Sequence, residues 1–263
     1  MKFYTFGDTI NPTILLLPGT CCHWKPNFQE VIPLLEETFY VICVSYDGFD
    51  ETEDTVFPDM LCETEKIERY ILDNFGGSIH AAYGCSLGGS FVGLLVQRGN
   101  IQIDHAILGS SDLDQESSWK AKLKCAAAIP LLHKIVSTGE YPKILRGLIE
   151  KKRTLYRDKF MAMFGIGNGG FPFISKESIR NQFYFDLITP LDQQISVPGT
   201  TIHCLYATKM GEKYLARYRE HFKNPMIHCF DMEHEELLVL YPRKWVKVVR
   251  QCIEGALIND IYD

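Results

Sequence analysis

Short apolar runs and helical patterns alternate along most of this chain. Runs of apolar, β-branched and aromatic residues predict strands, and an apolar residue at every third or fourth position predicts a helix. The predicted strands are residues 3–6, 13–17, 40–45, 79–83, 104–109, 200–207 and 226–230. The predicted helices are residues 58–75, 90–97, 212–222 and 242–256. Because helical crossovers join parallel strands, this alternation predicts an α/β fold whose mainly parallel central sheet is covered by helices on both faces.

One strand-to-helix junction carries the most distinctive residues of the sequence. Gly84-Cys85-Ser86-Leu87-Gly88 fits the pattern G-x-S-x-G, directly after one predicted strand and before a helical pattern. A nucleophile elbow has this context, because its tight turn holds a serine in a strained backbone conformation between flanking glycines. The pattern therefore predicts Ser86 as a nucleophile near a helix N-terminus, where developing negative charge is stabilised. A plain strand-to-helix turn is the alternative.

A serine hydroxyl needs an adjacent base, and histidine suits this role because its pKa lies near neutral pH. Of the eight histidines, His234 is the best placed, on a polar loop between the last predicted strand and the final helix. Loops at the carboxyl ends of parallel strands converge, so His234 and Ser86 can meet there. His23 lies in the loop after the second strand and is a candidate for substrate contact. Three further histidines lie inside predicted strands and are interpreted as core or surface residues: His80, His105 and His203.

These segments together resemble the α/β-hydrolase fold family, and the resemblance covers nearly the whole chain. The matching segments are Leu16-Leu17-Pro18-Gly19-Thr20, Gly84-Cys85-Ser86-Leu87-Gly88-Gly89 and His234-Glu235-Glu236-Leu237-Leu238, with serine before histidine as in the family. The chain departs from the family at Pro18, where the family usually has histidine.

The resemblance implies an acyl-transfer enzyme. Ser86 would be the nucleophile, and His234 would act first as general base and then as general acid. The oxyanion hole would consist of the backbone N–H groups of Leu87 and Thr20, with Cys21 as a less favoured second donor.

The third member of a catalytic triad, the acid, is not evident from the sequence. The family commonly has an aspartate shortly after the penultimate strand, where this chain has Met210. Glu212 lies just beyond and is one alternative, although it also fits the first-turn acid of a helix. Asp112 ends the strand after the elbow, a position that some family members use. We favour Asp112 slightly, and the sequence leaves open that neither residue serves.

The alternation of strands and helices breaks between about residues 112 and 190. We interpret residues 113–189 as an inserted cap (lid) subdomain, and residues 1–112 and 190–263 as the core. The methionines and phenylalanines of 160–173 are candidate walls for an apolar group of the substrate, or they simply pack the cap onto the core. The glycines at 165–170 do not form a phosphate loop, because no buried strand precedes them and no Lys-Ser/Thr follows.

Composition and charge narrow the class of protein. The 263 residues are 46% hydrophobic and 23% charged, as in ordinary globular proteins. We expect a cytoplasmic protein, since the chain shows no signal-peptide pattern, no apolar run that could span a bilayer, and nine scattered cysteines that suggest reduced thiols. The cysteine spacing predicts no structural metal, and no residue pattern indicates a cofactor.

The net charge of −6 is unevenly distributed, because residues 115–160 carry eleven Lys or Arg and only four acids. This basic segment is either a solvated helical face or a surface that meets anionic ligands. An acidic chain without a recognisable module gives no support for nucleic-acid binding.

Three functions therefore remain open at the level of sequence. The first is a serine hydrolase that cleaves a carboxylic ester or thioester of a small molecule with an apolar group, which an anionic group can accompany. The second is a C–C bond hydrolase or lyase that acts on an anionic metabolite at the same site. The third is a ligand-binding or signalling module with little turnover, which the missing acid suggests.

Overall fold

The computed structural model describes residues 1–142, 147 and 154–255 of the chain. In this part, seven strands form one sheet in the order β1-β3-β2-β4-β5-β6-β7, and β1 alone is antiparallel to its neighbour. The strands are β1 Lys2–Phe6, β2 Thr13–Leu17, β3 Tyr40–Ser45, β4 Ser78–Gly84, β5 Gln102–Leu108, β6 Thr201–Ala207 and β7 Met226–Phe230. The mainly parallel sheet is confirmed, with every predicted strand present.

Helices connect the strands and cover the sheet. The described helices are α1 Trp24–Phe28, α2 Ile32–Leu35, α3 Met60–Phe75, α4 Leu87–Arg98, α5 Ser118–Thr138, α6 Leu155–Ala162, α7 Lys176–Ile188, α8 Glu212–His221, α9 Glu236–Leu240 and α10 Pro242–Glu254. The four predicted helices appear as α3, α4, α8 and α10. The pattern did not predict α1, α2 and α9, because helices of four or five residues are too short to show a periodic apolar face.

Local signals explain where the long helices begin and end. Asp59 caps α3 by accepting a hydrogen bond from the Cys62 N–H at 2.8 Å, and Gly76 ends the helix with a φ of 63°. Asp or Asn at this first position and glycine at the last are the standard helix boundaries.

Alternate residues of each strand point to opposite faces and build two apolar layers. On one face, Leu15 and Ala82 of the sheet pack with helices α3, α4 and α8. On the other face, Leu16 and Tyr83 pack with α1, α2 and α10, where Trp245 is fully buried. Because both faces are covered, the strands read as nearly continuous apolar runs.

Helices α5, α6 and α7 lie in the interval between β5 and β6. α5 packs against α7, and α6 packs against α9, the helix that follows His234. Our division into a cap at 113–189 and a core at 1–112 and 190–263 remains a prediction. The basic residues at 143–146 and 151–153, and Ala256 at the end of the last predicted helix, lie outside the described residues.

Membrane-spanning helices are absent from the described ranges, since no helix there combines the length and the apolar character needed to cross a bilayer.

Candidate active site

Ser86 lies at the turn between β4 and α4. Its backbone φ of 50° and ψ of −111° lie in a region that residues with a side chain rarely adopt. A serine in this conformation at a strand-to-helix turn has the geometry of a nucleophile elbow. Its side chain is partly exposed, whereas Cys85 and Leu87 on either side are buried. Within the described residues, the Ser86 hydroxyl has no hydrogen-bond partner.

Glycines permit the close approach of backbone segments around this turn. A Cβ atom on Gly84 would collide with the backbone of Gly88, and a Cβ atom on Gly88 would collide with the Leu17 carbonyl of β2. No larger residue fits at either position without moving the strand or the helix, which explains the G-x-S-x-G pattern at this turn.

The buried carboxylate of Glu235 joins the elbow to the loop that carries His234. Its Oε1 atom accepts hydrogen bonds from the backbone N–H groups of Ser86 and Ser110, each at 2.9 Å. Its Oε2 atom accepts a hydrogen bond from the Tyr83 hydroxyl at 2.9 Å. Glu235 is 3% exposed and has a φ of 56°. Because Glu235 directly follows His234, these bonds hold the His234 loop against the elbow.

Helix α6 covers the other side of His234. The Tyr156 hydroxyl donates a hydrogen bond to the His234 carbonyl oxygen at 2.8 Å. One turn further along α6, the Phe160 ring meets the imidazole edge-on, with 5.8 Å between ring centroids. The imidazole nitrogens have no hydrogen-bond partner among the residues that the structure describes. Helix α6 thus fixes the backbone of His234 and packs against its ring.

The loop after β5, which carries Asp112, is held by α8. The Tyr218 hydroxyl donates a hydrogen bond to the Ser111 carbonyl oxygen at 2.6 Å. Arg217 donates to the Asp112 carbonyl oxygen at 2.6 Å and forms an ion pair with Asp114 at 2.5 Å. Two neighbouring residues of α8 therefore fix this backbone and the direction in which the loop leaves the sheet.

Two carboxyl groups lie close together beside this loop. Burial and then the charge of Asp114 raise the pKa of Asp112, whereas the positive form of His234 lowers it. Burial and then the charge of Asp112 raise the pKa of Asp186 well above its ordinary value, against a lowering hydrogen bond from Ser90. A cation therefore favours ionisation of Asp112, and no cation of the described residues acts in this way on Asp186. We infer that Asp112 ionises first and that Asp186 keeps its proton to higher pH.

The two predicted acids differ in position. Asp112 is close enough to His234 for the two charges to interact, although no hydrogen bond joins them in the described part of the chain. Glu212 opens α8 as a first-turn acid with an exposed side chain, and no described hydrogen bond or ion pair links it to His234. Residues Thr208–Met210 form a short 3-10 turn at the place where the resemblance suggested an acid.

The predicted oxyanion donors lie in the elbow itself, at Leu87, and in the loop after β2, at Thr20. The N–H of Leu87 is the first of α4, and neither it nor the N–H of Thr20 has an acceptor among the described residues. Cys21 differs, because its N–H donates a hydrogen bond at 2.7 Å to the Oε1 atom of Gln182 on α7. Cys21 is therefore already engaged, which favours Thr20 over Cys21 as the second donor.

The His23 side chain is buried among structural contacts and is not exposed to the site. Its side chain is 4% exposed, its Nε2 atom bonds to Glu51 at 2.8 Å, and its Nδ1 atom accepts a hydrogen bond from the Lys25 N–H. Burial lowers its pKa. The rings of Phe171 and Phe173 pack against it from the insertion. These contacts favour fixation of the loop after β2 over contact with a substrate.

Two apolar residues of 160–173 illustrate both interpretations of this segment. Met163 is buried in the layer that contains Leu16 and Tyr83, as a packing residue would be, and Phe160 contacts His234, as a wall of the site would. Both interpretations stay predictions.

A groove of about 580 Å³ runs between α5 and α7. Its apolar lining includes Ile129, Tyr184 and Phe185, and its cationic lining comprises Lys122, Lys176 and Arg180. The groove thus combines an apolar floor with positive charge.

Sequence reasoning did not assign roles to four residues that contact the site. Glu235 and Tyr156 hold the His234 loop, Gln182 holds the loop after β2, and Asp186 lies beside Asp112. Their contacts join segments far apart in sequence, so no local pattern reports them. The only local signal is the spacing of four between Tyr156 and Phe160, which puts both rings on one face of a helix.

Replacement of Glu235 by alanine is expected to lower the free energy of unfolding by about 3 kcal/mol, because two backbone N–H groups and a buried hydroxyl lose their acceptor. Urea unfolding at neutral pH measures the change. Glu233→Ala, on the exposed part of the same loop, is the matched control and should change stability by less than about 0.5 kcal/mol. Equal losses in the two variants would contradict the anchoring role of Glu235.

The sequence matches no protein-family model and no curated protein. Solved structures, in contrast, do show a similar fold. A protein from Desulfitobacterium hafniense described as an alpha/beta hydrolase family member superposes with a TM-score of 0.73 at 18% identity, over 95% of this chain and 99% of the other. MenH from S. aureus gives 0.70 at 14% identity, over 96% and 98%. A marine microorganism esterase gives 0.68 at 15% identity, over 95% and 98%. The chain therefore has the α/β-hydrolase fold.

Proposed function

We propose that this protein is a serine hydrolase that cleaves a carboxylic ester or thioester through an acyl-enzyme. The observation that carries the proposal is the strained backbone of Ser86, at an elbow to which the carboxylate of Glu235 ties the His234 loop. Strain of this kind costs of order 1–3 kcal/mol and persists where the surrounding structure enforces it, most often at functional sites. A turn that only reversed the chain would have no need of it.

In the proposed reaction, the Ser86 hydroxyl attacks the substrate carbonyl carbon while His234 accepts the hydroxyl proton. The carbonyl oxygen becomes an oxyanion, which the N–H groups of Leu87 and Thr20 stabilise. Collapse of this intermediate breaks the bond to the alcohol or thiol, and His234 returns the proton to that leaving group. Water, activated by His234, then attacks the acyl-enzyme, and collapse of the second intermediate releases the acid and restores Ser86.

Asp112 is the carboxylate that we assign to the imidazole. Its role is to fix the tautomer of His234 and to stabilise the imidazolium that forms during the reaction. The lowering effect of the His234 charge on the pKa of Asp112 supports this assignment. Catalytic hydrogen bonds are often long in a ligand-free enzyme and tighten when substrate binds. Asp186 would stay protonated and neutral, so that Asp112 carries the single negative charge of the two carboxyl groups.

The groove between α5 and α7 supports a substrate with an apolar portion and an anionic group. Its apolar lining suits an acyl or aryl group, and Lys176 and Arg180 suit a carboxylate or phosphate. Arg180 lines the groove and Gln182, two positions on, contacts the loop after β2, so α7 has the groove on one side and this loop on another. We assign the groove to the distal part of the substrate and propose a cytoplasmic location for the reaction.

A C–C bond hydrolase or lyase that acts on an anionic metabolite is the second candidate, and the cations of the groove favour it. Activity on a short, uncharged p-nitrophenyl ester distinguishes the two. If this activity is unchanged when Lys176 and Arg180 are both replaced by alanine, simple ester cleavage is supported. If no ester is turned over while an anionic substrate is, the second candidate replaces the first. Absence of both activities would leave a ligand-binding or signalling module.

Reaction with a fluorophosphonate probe tests the proposal directly. We expect one phosphonyl adduct on Ser86, detected by mass spectrometry of the intact chain and of its peptides, because an activated serine attacks the phosphorus centre as it attacks a carbonyl. Ser86→Ala should carry no adduct, and Ser78→Ala, at the exposed opposite end of β4, should be labelled like the natural chain. A natural chain that stays unlabelled while correctly folded would refute an activated nucleophile at this position.

A further inference from the structure

Three potential metal ligands meet on the face of the sheet that α10 covers. They are His203 in β6, His228 in β7 and Cys252 in α10, and one ligand atom of each lies within 4.8 Å of the other two. His203 and Cys252 are buried, and His228 is half-buried. The three come from separate elements, which is why the spacing of cysteines along the sequence did not indicate a metal.

The distance between the two imidazoles fits shared coordination of one ion. The Nδ1 atom of His203 lies 3.2 Å from the Nε2 atom of His228. Two nitrogens that bind one tetrahedral zinc ion at about 2.0–2.1 Å are separated by roughly 3.3 Å. Without an ion, the same 3.2 Å is a hydrogen bond at the long end of the usual range. The two ring planes lie within 15° of each other. The three ligand atoms are spread over as much as 4.8 Å, so the Cys252 thiol is the group that has to approach for all three to bind one ion.

A further histidine orients the first. The Nε2 atom of His203 lies 3.4 Å from the Nδ1 atom of His105 in β5. When Nδ1 of His203 binds a metal, its proton must be on Nε2, from which it can be donated to His105. Metal-bound histidines nearly always donate their second N–H in this way, and loss of such a partner typically lowers metal affinity 10- to 100-fold. The cluster therefore has both the ligands and an orienting neighbour.

Two neutral imidazoles and one thiolate are the forms that bind a metal. Binding of the ion must therefore displace the Cys252 proton to solvent, and the thiolate then forms the bond to the metal.

The donor set determines the class of ion. Two imidazole nitrogens and one thiolate suit zinc and its close substitute Co²⁺, whereas Mg²⁺ and Ca²⁺ prefer oxygen ligands. Three protein ligands leave one position of a tetrahedron for water, and the partial exposure of His228 leaves that side accessible.

We propose that His203, His228 and Cys252 form a binding site for one zinc ion, oriented by His105 and separate from the Ser86 site. Both sites lie in one sheet but use different parts of it. The elbow lies beyond the carboxyl end of β4, whereas His203 and His228 are interior residues of β6 and β7. The proposal does not depend on the hydrolase activity, and neither result decides the other.

The experiment uses the purified full chain, stripped with a chelator and dialysed. Equilibrium dialysis against Zn²⁺, followed by elemental analysis, should give one zinc ion per chain. Titration with Co²⁺ should give the visible bands of a tetrahedral ion and a thiolate-to-cobalt charge-transfer band. A hundredfold excess of Zn²⁺ over its dissociation constant should raise Tm by at least about 4 °C.

The variants separate this site from adventitious binding. Cys252→Ala should remove the charge-transfer band, and Cys229→Ala, the exposed cysteine beside His228, should keep it. His228→Ala should lower zinc affinity at least 100-fold, and His105→Ala should lower it 10- to 100-fold. His228 is half-buried, so its variant provides the decisive measurement if Cys252→Ala does not fold, as judged by circular dichroism. Zinc binding to the natural chain no tighter than to His228→Ala, or a charge-transfer band that follows Cys229, would overturn the proposal.

Discussion

Replacement of His234 by alanine is expected to lower kcat for ester hydrolysis about 10⁵- to 10⁶-fold, the scale on which loss of a triad histidine acts. Without the imidazole, no group accepts the Ser86 proton during attack or returns one to the leaving group. The residual rate should come from the oxyanion donors and substrate binding alone. Hydrolysis of a p-nitrophenyl ester under saturating conditions measures kcat, and fluorophosphonate labelling of Ser86 should slow in parallel.

A matched control uses a histidine away from the site. His133 lies on α5 with a partly exposed side chain, and His133→Ala should retain kcat within about a factor of two. Because the Glu235 bonds hold the loop through the next residue, His234→Ala should unfold at nearly the same urea concentration as the natural chain. A His234→Ala enzyme with more than a tenth of the natural kcat would remove His234 from the mechanism.

The second large effect concerns the carboxylate. Asp112→Asn is expected to lower kcat about 10⁴-fold, because an amide keeps the shape of the side chain but supports the wrong tautomer of the imidazole. Glu212→Gln, on the exposed first turn of α8, should leave kcat within about threefold. If Glu212→Gln causes the larger loss, the acid has been assigned to the wrong strand end.

Asp186→Asn distinguishes the two neighbouring carboxyl groups. If Asp186 carries the proton of the pair, asparagine replaces a neutral group by another, and kcat near neutral pH should change less than about threefold. The pH dependence of stability measures the protonation of Asp186 independently of kcat. Because folding raises the pKa of Asp186, its stabilising contribution is full below the pKa of the unfolded chain, near 4, and is lost as the pH rises toward the folded-state pKa.

The direction of the Asp186 pKa shift on folding predicts how the free energy of unfolding depends on pH. Asp186→Asn should gain stability relative to the natural chain as the pH rises above about 4, and the difference should level off above the folded-state pKa. Urea unfolding from pH 3 to pH 8 measures it. A stability difference that does not change over this range would show that Asp186 titrates normally in the folded chain.

The sequence predicted the parts of the molecule whose causes are local. The elbow could be identified because its strand, glycines, serine and helix follow one another directly in sequence, and because Gly84 is required by its contact with Gly88, four residues on. The strands could be identified because burial on both faces of a parallel sheet produces apolar runs. Helices α1 and α2 were not predicted because one turn of helix shows no period.

The carboxylate that serves His234 could not be identified from the sequence, and the physical reason is different. Whether a carboxylate serves His234 depends on where three separate loops leave the sheet, and Arg217 and Tyr218 of α8 fix that direction for the loop after β5. Glu235 was hidden in a similar way. In the sequence it is one of three acids around a histidine, and only its left-handed backbone turns the carboxylate inward to the elbow.

The hydrogen bond from the Cys21 N–H to Gln182 links the position of α7 to the position of the loop after β2. Gln182 belongs to α7, and Cys21 directly follows the proposed donor Thr20, so α7 cannot swing outward without breaking this bond. Under the proposed mechanism, an outward displacement of α7 would therefore release the loop whose Thr20 N–H receives the oxyanion. The proposed reaction thus requires α7 in the position that the structure shows.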